Sequence, residues 1–176
     1  MKIPTLTTGR LQLRLPDADC EGMYQRFYTD ADASRAYGGP LSPAAALARL
    51  SSDLGSWQLH GFGVWAIRRR KEGDFIGVCG FWQGKDWPRE LTWWLVPEAR
   101  GRGFAHEASL AAVAHAYAAF GWESVETYMN DSNDPARALV LRLGGVKTDR
   151  RLFPDNLERD VYRVPAPTAA SGSQPK

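Results

Sequence analysis

An α/β fold is predicted, with a mixed, mostly antiparallel central sheet of about seven strands and helices on both of its faces. Three observations predict it. Strand-like runs are joined in two ways: by short polar turns such as Arg70–Asp74 and Pro154–Asn156, and by stretches of helical periodicity. A long helical stretch, the alanine-rich run Ala108–Phe120, follows a glycine-rich turn placed directly after the apolar run Leu91–Val96. The resulting order, β-α-α-β-β-β-α-β-α-β-β, mixes hairpins, which make antiparallel pairs, with helical crossovers, which allow parallel ones. The hairpins exclude a doubly wound parallel sheet.

Leu11, Leu13 and Leu15 alternate with Gln12 and Arg14, which makes Arg10–Leu15 a half-buried strand. Pro16-Asp17 ends it, and Asp17 or Asp19 caps a helix running to Tyr28, with Met23, Tyr24, Phe27 and Tyr28 at helical spacing. Gly38-Gly39-Pro40 is a break. Ser42-Pro43 opens a second helix as N-cap and first-turn proline, and Leu47, Leu50, Leu54 and Trp57 mark its buried face. Val64–Arg69 and Phe75–Trp82 form a hairpin after the turn His60–Gly63. Arg89–Val96 is a strand, and a helix runs from Gly103 to Phe120 and stops at Gly121. Its many alanines allow close packing on a sheet. Glu123–Met129 is a strand, Asn133-Asp134-Pro135 opens a short helix, and Gly144-Gly145 stops it. Val146–Phe153 and Glu158–Val164 form a final hairpin.

The chain has 176 residues, 44% hydrophobic and 24% charged, which favours one globular domain over residues 1–164. Residues 165–176 are rich in Pro, Ala, Ser and Gly and are expected to be a disordered tail. A net charge of +2 is too close to neutral to suggest a nucleic-acid partner by itself, and none is expected; the basic run Arg68–Lys71 alone motivates a nucleic-acid- or ribosome-binding alternative. No apolar run approaches ~20 residues and the N-terminus lacks a signal-peptide core, so no membrane association and a cytoplasmic location are expected. Cys20 and Cys79 give neither a disulfide framework nor a metal spacing. The expected state is a monomer or homodimer.

The stretch Val96–Glu107 carries the chemistry. A strand, a basic glycine loop and a helix start follow one another there. A helix start leaves about four N–H groups unpartnered and carries partial positive charge, so it attracts phosphate. Arg100 and Arg102 add full charges. A P-loop ends in Gly-Lys-Ser/Thr, but this loop ends in Gly103-Phe104-Ala105; a Rossmann fingerprint needs a third glycine where His106 stands. The pattern Arg100, Gly103, Ala105 resembles instead the pyrophosphate loop of the GNAT superfamily, the acetyl-CoA-dependent N-acetyltransferases. Three more segments share the resemblance: Thr8–Arg14, Glu90–Pro97 followed by the loop and His106-Glu107-Ala108, and Asn133 eleven residues before Gly144 with Leu141-Arg142-Leu143 between. They are similar to the RimJ/RimL-like branch, the ribosomal-protein N-terminal acetyltransferases, over residues 5–164.

That resemblance implies a GNAT fold with acetyl-CoA as co-substrate and no metal, and an acetyl group moved by direct attack of a primary amine, either a protein N-terminus or a small-molecule amine. It implies that Leu95 and Val96 offer backbone groups to the pantetheine arm. Arg100, Gly101, Arg102, Gly103, Phe104 and Ala105 would hold the pyrophosphate, and Asn133 would hydrogen-bond the cofactor. A pantetheine arm carries amides and can pair with a free strand edge as an added strand does. The resemblance makes Glu90 the candidate general base, since it stands at the strand position where this branch often carries a glutamate, and a carboxylate in an aromatic-lined site can have its pKa raised so that it serves as a base directly or through a water. Two positions depart from the family. Val140 stands where many members have a tyrosine, and Ala136 where this branch often has a serine, so both usual proton donors to the leaving thiolate are missing. Ser132 and Tyr128 are near in sequence but unmatched. The alternative is a non-catalytic or weakly catalytic acyl-CoA-binding or sensing protein.

Other signals have plainer readings. Leu110 occupies the place of the second histidine of a zinc-protease motif begun by His106-Glu107, so Glu107 reads as a first-turn carboxylate favoured by the helix dipole. His115 and Cys79 read as packing residues, as do Trp57, Trp65 and Trp122. Arg68–Lys71 reads as a solvated hairpin tip. Trp82, Trp87 and Trp94 are the tryptophans expected near the acceptor pocket.

Overall fold

The structure, a computed structural model, describes residues 3–168. Its strands are β1 (Leu6–Thr7), β2 (Leu11–Arg14), β3 (Val64–Arg69), β4 (Phe75–Trp82), β5 (Glu90–Leu95), β6 (Val125–Tyr128), β7 (Val146–Leu152) and β8 (Glu158–Val164). Its helices are α1 (Glu21–Thr29), α2 (Ala31–Ser34), α3 (Pro43–His60), α4 (Phe104–Ala118) and α5 (Asp134–Arg142). Most of the expected tail lies outside the described residues; 165–168 form neither helix nor strand.

The α/β architecture is the predicted one, with a difference in the sheet. The strands form a five-stranded sheet, β1-β2-β3-β4-β5, and a three-stranded sheet, β6-β8-β7, and every ladder is antiparallel. The expected mixed pairing falls at the one crossover junction, between β5 and β6. These strands lie against each other without a ladder. A side chain bridges them instead: the Thr127 hydroxyl donates to the Leu91 carbonyl at 2.8 Å. Beside it, the Tyr128 hydroxyl donates to Pro88 O at 2.9 Å. The split leaves part of the β5 edge unpaired, and the site forms there.

Strand alternation sorts β4 and β5 into two faces. Val78 pairs with Trp94 and Cys79 with Trp93. On one face Trp94 stacks on Phe27 of α1 at 4.0 Å and meets Tyr24 edge-on at 5.2 Å, and α1 packs on α3. On the other, the Cys79 thiol lies 3.6 Å from the Ser109 hydroxyl of α4. Ala108, Ala112 and Ala116 are fully buried, so the small side chains of α4 do let it lie close to the sheet. Gly77 is required where β4 meets β5, since a Cβ there would stand 2.1 Å from Trp94 O.

The capping signals of α3 are realised. The Ser42 hydroxyl accepts from Ala45 N, Pro43 begins the helix and Gly61 closes it at φ 76°. Its buried face is different from the predicted one. Leu50 and Trp57 are buried, but Leu47 and Leu54 are 42% and 37% exposed. The inward stripe runs through Ala46, Leu50, Asp53 and Trp57, one residue off the leucine pattern at two turns. Leu6–Thr7 and the helical segment Ala31–Tyr37 were not predicted. Asp30 starts α2 by accepting from Ala33 N at 2.7 Å, a cap with too short an apolar pattern behind it to be read.

Candidate functional site

The unpaired end of β5 opens into two connected spaces. One is a groove of about 910 Å³ running past Leu95, the loop after it, the start of α4 and the start of α5. The other is a cavity of about 490 Å³ between the sheet, α3 and the loop that carries Trp87. They share a boundary that includes Tyr37, Trp93, Trp94, Asn130, Asn133 and Ala136.

The groove is a backbone feature. Gly101 and Gly103 sit at φ 72° and 79°, the left-handed region that glycine enters without strain. Nothing stands within 4 Å of a Cβ built on Gly101, so backbone angle alone calls for glycine there. Gly103 is the N-cap of α4, and no side chain caps that helix start. Its first N–H groups are left for an anion, and Gly101, Gly103, Phe104, Ala105 and His106 line the groove beside them. These features fit a coenzyme A pyrophosphate: a helix start without a protein cap, a turn with no side chain in the way, and a cation, Arg100, at its rim.

The loop is held from outside. Glu107 accepts from the Thr8 hydroxyl at 2.6 Å, Arg10 N at 2.8 Å and Arg10 Nε at 2.6 Å. Burial works against its charge, but these hydrogen bonds outweigh it and hold the carboxyl below its ordinary value. Arg10 also donates to Arg102 O at 2.9 Å and lies 4.4 Å over the Phe104 ring.

The cavity is a side-chain feature. Trp82, Trp87, Tyr28, Tyr128 and Trp94 are among its walls, and three carboxyl-bearing residues line it, Glu90 from β5, Asp53 from α3 and Asp155 from the turn between β7 and β8. The ladder between β4 and β5 has no register shift, so Glu90, Thr92 and Trp94 share one face. The Glu90 carboxyl forms neither a hydrogen bond nor an ion pair among the described residues. The surface it keeps opens into the cavity, with protein packed densely around. Burial pushes its carboxyl up to about 8, against a partial opposing pull from Arg159. Arg159 is itself committed: it donates to both oxygens of Asp155, at 2.8 and 2.5 Å, and to Asn130 Oδ1 at 2.8 Å. Asp53 accepts from the buried Tyr24 hydroxyl at 2.6 Å, and burial pushes it up to about 6 although Tyr24 and Arg49 favour its charge.

The expected site residues fall as follows. Leu95, Arg100, Gly101, Gly103, Phe104, Ala105 and Asn133 all line the groove. Val96 does not, and the expectation for it is corrected: it is buried, its N–H donates to Ile76 O at 2.9 Å and its carbonyl accepts from Ala99 N at 3.0 Å. Arg102 also stands apart from the groove lining. Its guanidinium lies 5.1 Å from the Phe104 ring. The Arg100 side chain donates to Leu95 O and Ala33 O, tying the end of β5 to α2. Asn133 uses its Oδ1 to cap α5 at Ala136 N, 3.3 Å away, and its amide nitrogen remains a donor on the groove. Trp82, Trp87 and Trp94 all line the cavity, while Trp57 and Trp65 are core. Arg89 does not face Glu90 as an ion pair; its guanidinium stacks 3.4 Å over Trp122. In the hairpin tip, Arg68, Arg69 and Arg70 are bonded to Gly73, Asp74 and the carbonyls of Thr8 and Gly9, which supports the plain reading of that run.

Sequence reasoning missed Asp53, Tyr37, Arg142 and Arg159. Asp53 had a signal in the 46-50-53-57 spacing. The others come from elements that reach the site only through tertiary packing. Val140 is fully buried and lines neither space, whereas Ala136 lies on the shared boundary.

An uncapped helix start beside a splayed strand edge, opening onto an aromatic cavity with an unpaired carboxyl, defines a two-substrate transferase for a phosphate-bearing donor. Residues 10–146 match the family model described as an acetyltransferase (GNAT) domain. The chain therefore belongs to the GNAT acetyltransferase family, whose members transfer acetyl groups from acetyl-CoA. It is 28% identical over 146 residues to the uncharacterized N-acetyltransferase YoaA of Bacillus subtilis, covering 80% of this chain and 82% of that one. It is similar to a crystal structure of an acetyltransferase from Agrobacterium tumefaciens, at 31% identity, a TM-score of 0.81 and coverage of 93% and 95%. RimL, a ribosomal L7/L12 α-N-protein acetyltransferase solved in complex with coenzyme A, superposes at a TM-score of 0.75 over 91% and 97% of the two chains. Its 14% identity shows a shared fold and no more.

Proposed function

We propose that this chain, as a single domain over residues 1–164, transfers the acetyl group of acetyl-CoA to a primary amine that enters the aromatic cavity, with Glu90 as general base. One observation carries the reading. Glu90 is an unpaired carboxyl at about 8, inside a cavity that meets the groove suited to the acetyl donor. A base poised near working pH is what removal of an ammonium proton requires, because a weaker base would not take the proton and a stronger one would be protonated.

The chain's residues divide the work. The uncapped N–H groups at Gly103–Ala105 bind the pyrophosphate, and Leu95 offers the exposed strand end to the pantetheine arm. Trp82, Trp87 and Tyr128 exclude water from the acceptor and offer ring faces that attract a cation. Glu90 takes the proton from the attacking amine. Holding both substrates across one boundary supplies much of the remaining rate. The acceptor is a small-molecule or peptide amine.

The test is release of free CoA thiol over a panel of small amines and peptides with free N-termini. At least one acceptor should accelerate release in the wild type, and Glu90→Gln should abolish most of that acceleration. Tight acetyl-CoA binding with no acceptor-dependent release from a broad panel would instead support the binding or sensing alternative that Val140 and Ala136 raise.

A further inference from the structure

We infer that Tyr37 is a catalytic residue of this chain, its phenol donating a hydrogen bond to the sulfur of coenzyme A as the acetyl group leaves. The inference rests on the acetyl-transfer reading above and fills the role that Val140 and Ala136 leave open.

The departing sulfur must lie where the two spaces meet, because the donor fills the groove and the amine attacks from the cavity. Six hydroxyl-bearing residues line the cavity: Tyr28, Tyr37, Ser52, Thr92, Thr127 and Tyr128. Two line the groove, Tyr37 and Ser132. Tyr37 alone is on both. It reaches the boundary from the short 3-10 turn Arg35–Tyr37 after α2, an element that leans on the donor groove through Ala33 and Arg100. Its ring is seated edge-on against Phe27, with centroids 5.5 Å apart, and its hydroxyl donates to the backbone carbonyl of Trp93. That carbonyl belongs to the β5 stretch where the β5 and β6 edges separate. A phenol O–H rotates about its C–O bond, so the group that rests on Trp93 O can turn to a new anion beside it. The competitors are poorer. Tyr128 lines the cavity but not the groove, and Ser132 is exposed at the groove alone.

The step balances without a further reactant. The amine nitrogen forms a bond to the acetyl carbon and gives its proton to Glu90. The carbon–sulfur bond breaks and its electron pair stays on sulfur. The Tyr37 O–H hydrogen-bonds that thiolate, which takes its proton from water on release. Burial pushes the Tyr37 phenol well above its ordinary value, so it stays protonated and remains a donor at working pH. A hydrogen bond to a charged partner is worth roughly 1.5–3 kcal/mol, a factor of about 10 to 100 in rate.

The experiment combines steady-state kinetics with titration of the thiol of bound coenzyme A, read by thiolate absorbance. In Tyr37→Phe, which keeps the ring on Phe27, kcat should fall roughly 10- to 100-fold while the KM for acetyl-CoA changes little. The thiol of bound coenzyme A should titrate at a pH about 1 or more higher in the variant than in the wild type. A merely structural tyrosine would not move that titration. Ser132→Ala should leave it where it is. An unchanged titration in Tyr37→Phe, or a shift produced by Ser132→Ala instead, overturns the role. A wild type that fails to bind coenzyme A would overturn the donor reading itself, and that outcome is visible before any variant is made.

Discussion

The groove and the cavity meet at one boundary but are made of different material. The groove is backbone: two glycines at positive φ, an uncapped helix start and a strand end, with side chains mostly holding the loop from behind. The cavity is side chain: indoles, phenols and three carboxyls delivered by β5, α3 and the loops. A backbone site recognises what is constant, a pyrophosphate and a chain of amides. A side-chain site can be re-cut for a different acceptor without disturbing the sheet. Substitutions should therefore separate cleanly: changes in the cavity should act on turnover and acceptor choice, and changes at the loop should act on donor affinity.

The largest effect is expected at Glu90. Glu90→Gln should lower kcat by roughly 10²- to 10³-fold, in line with general-base catalysis, and leave acetyl-CoA affinity measured by calorimetry unchanged. A parallel loss of donor affinity would break the separation between the two regions. The wild-type kcat/KM should rise about tenfold per pH step and level off above about 8, where the carboxyl is ionised. Gln should remove that rise.

The same carboxyl should cost stability. Its value in the folded chain is raised from 4.5 to about 8, so the folded state holds the proton more tightly than the unfolded state does. The contribution of Glu90 to stability is therefore greatest below 4.5, falls as pH rises towards about 8 and is level above it. The cost is on the order of 1 kcal/mol for each pH step in that window. Glu90→Gln removes the slope. At pH 9 the inactive variant should melt several degrees above the wild type, and near pH 4 the two should converge. A carboxylate with only a surface role would show no such crossover between activity and stability.

At the loop the effect is smaller and falls on the other substrate. Gly101→Ala meets no neighbour, so its cost is the backbone angle alone, ~1–2 kcal/mol. The KM for acetyl-CoA should rise several-fold and the KM for the amine should not. A loss of amine affinity instead would show that the two spaces are mechanically coupled.

This division also explains what could be read in the sequence. The groove was legible because positive-φ glycines and an uncapped helix start leave local marks: Gly101, Gly103 and the run into Phe104 are adjacent in the chain. The cavity was not. Glu90 and Trp94 could be placed on one face because strand alternation is a local rule, and the three suspected tryptophans do line it. Asp53 was passed over because Leu54 beside it looked like the inward residue; an apolar pattern assigns core positions to leucines and hides a carboxyl seated in the same stripe. Tyr37 and Arg159 are brought in by a 3-10 turn and by the final hairpin, and tertiary packing alone decides where those land. Val96 failed for the opposite reason: the motif extends to it, but both its backbone groups are used, by Ile76 and Ala99.

The smallest effect is the most discriminating about how the groove is held. Arg10 is half exposed, and its ion pair with Glu107 is screened by solvent, so the pair itself should contribute no more than ~1 kcal/mol. Its second bond, to Arg102 O, reaches the loop directly, and its guanidinium covers Phe104 at the start of α4. Arg10→Ala should raise the KM for acetyl-CoA about two- to fivefold, leave kcat and the amine KM unchanged, and lose part of its effect in high salt. Glu107→Ala removes the acceptor of Thr8 and of the Arg10 backbone as well, so it should cost more. The double variant should cost little beyond Glu107→Ala, because the two residues act through one contact network. If the effects add in full, Arg10 holds the loop through Arg102 and Phe104 without Glu107, and the support behind the groove consists of two independent props.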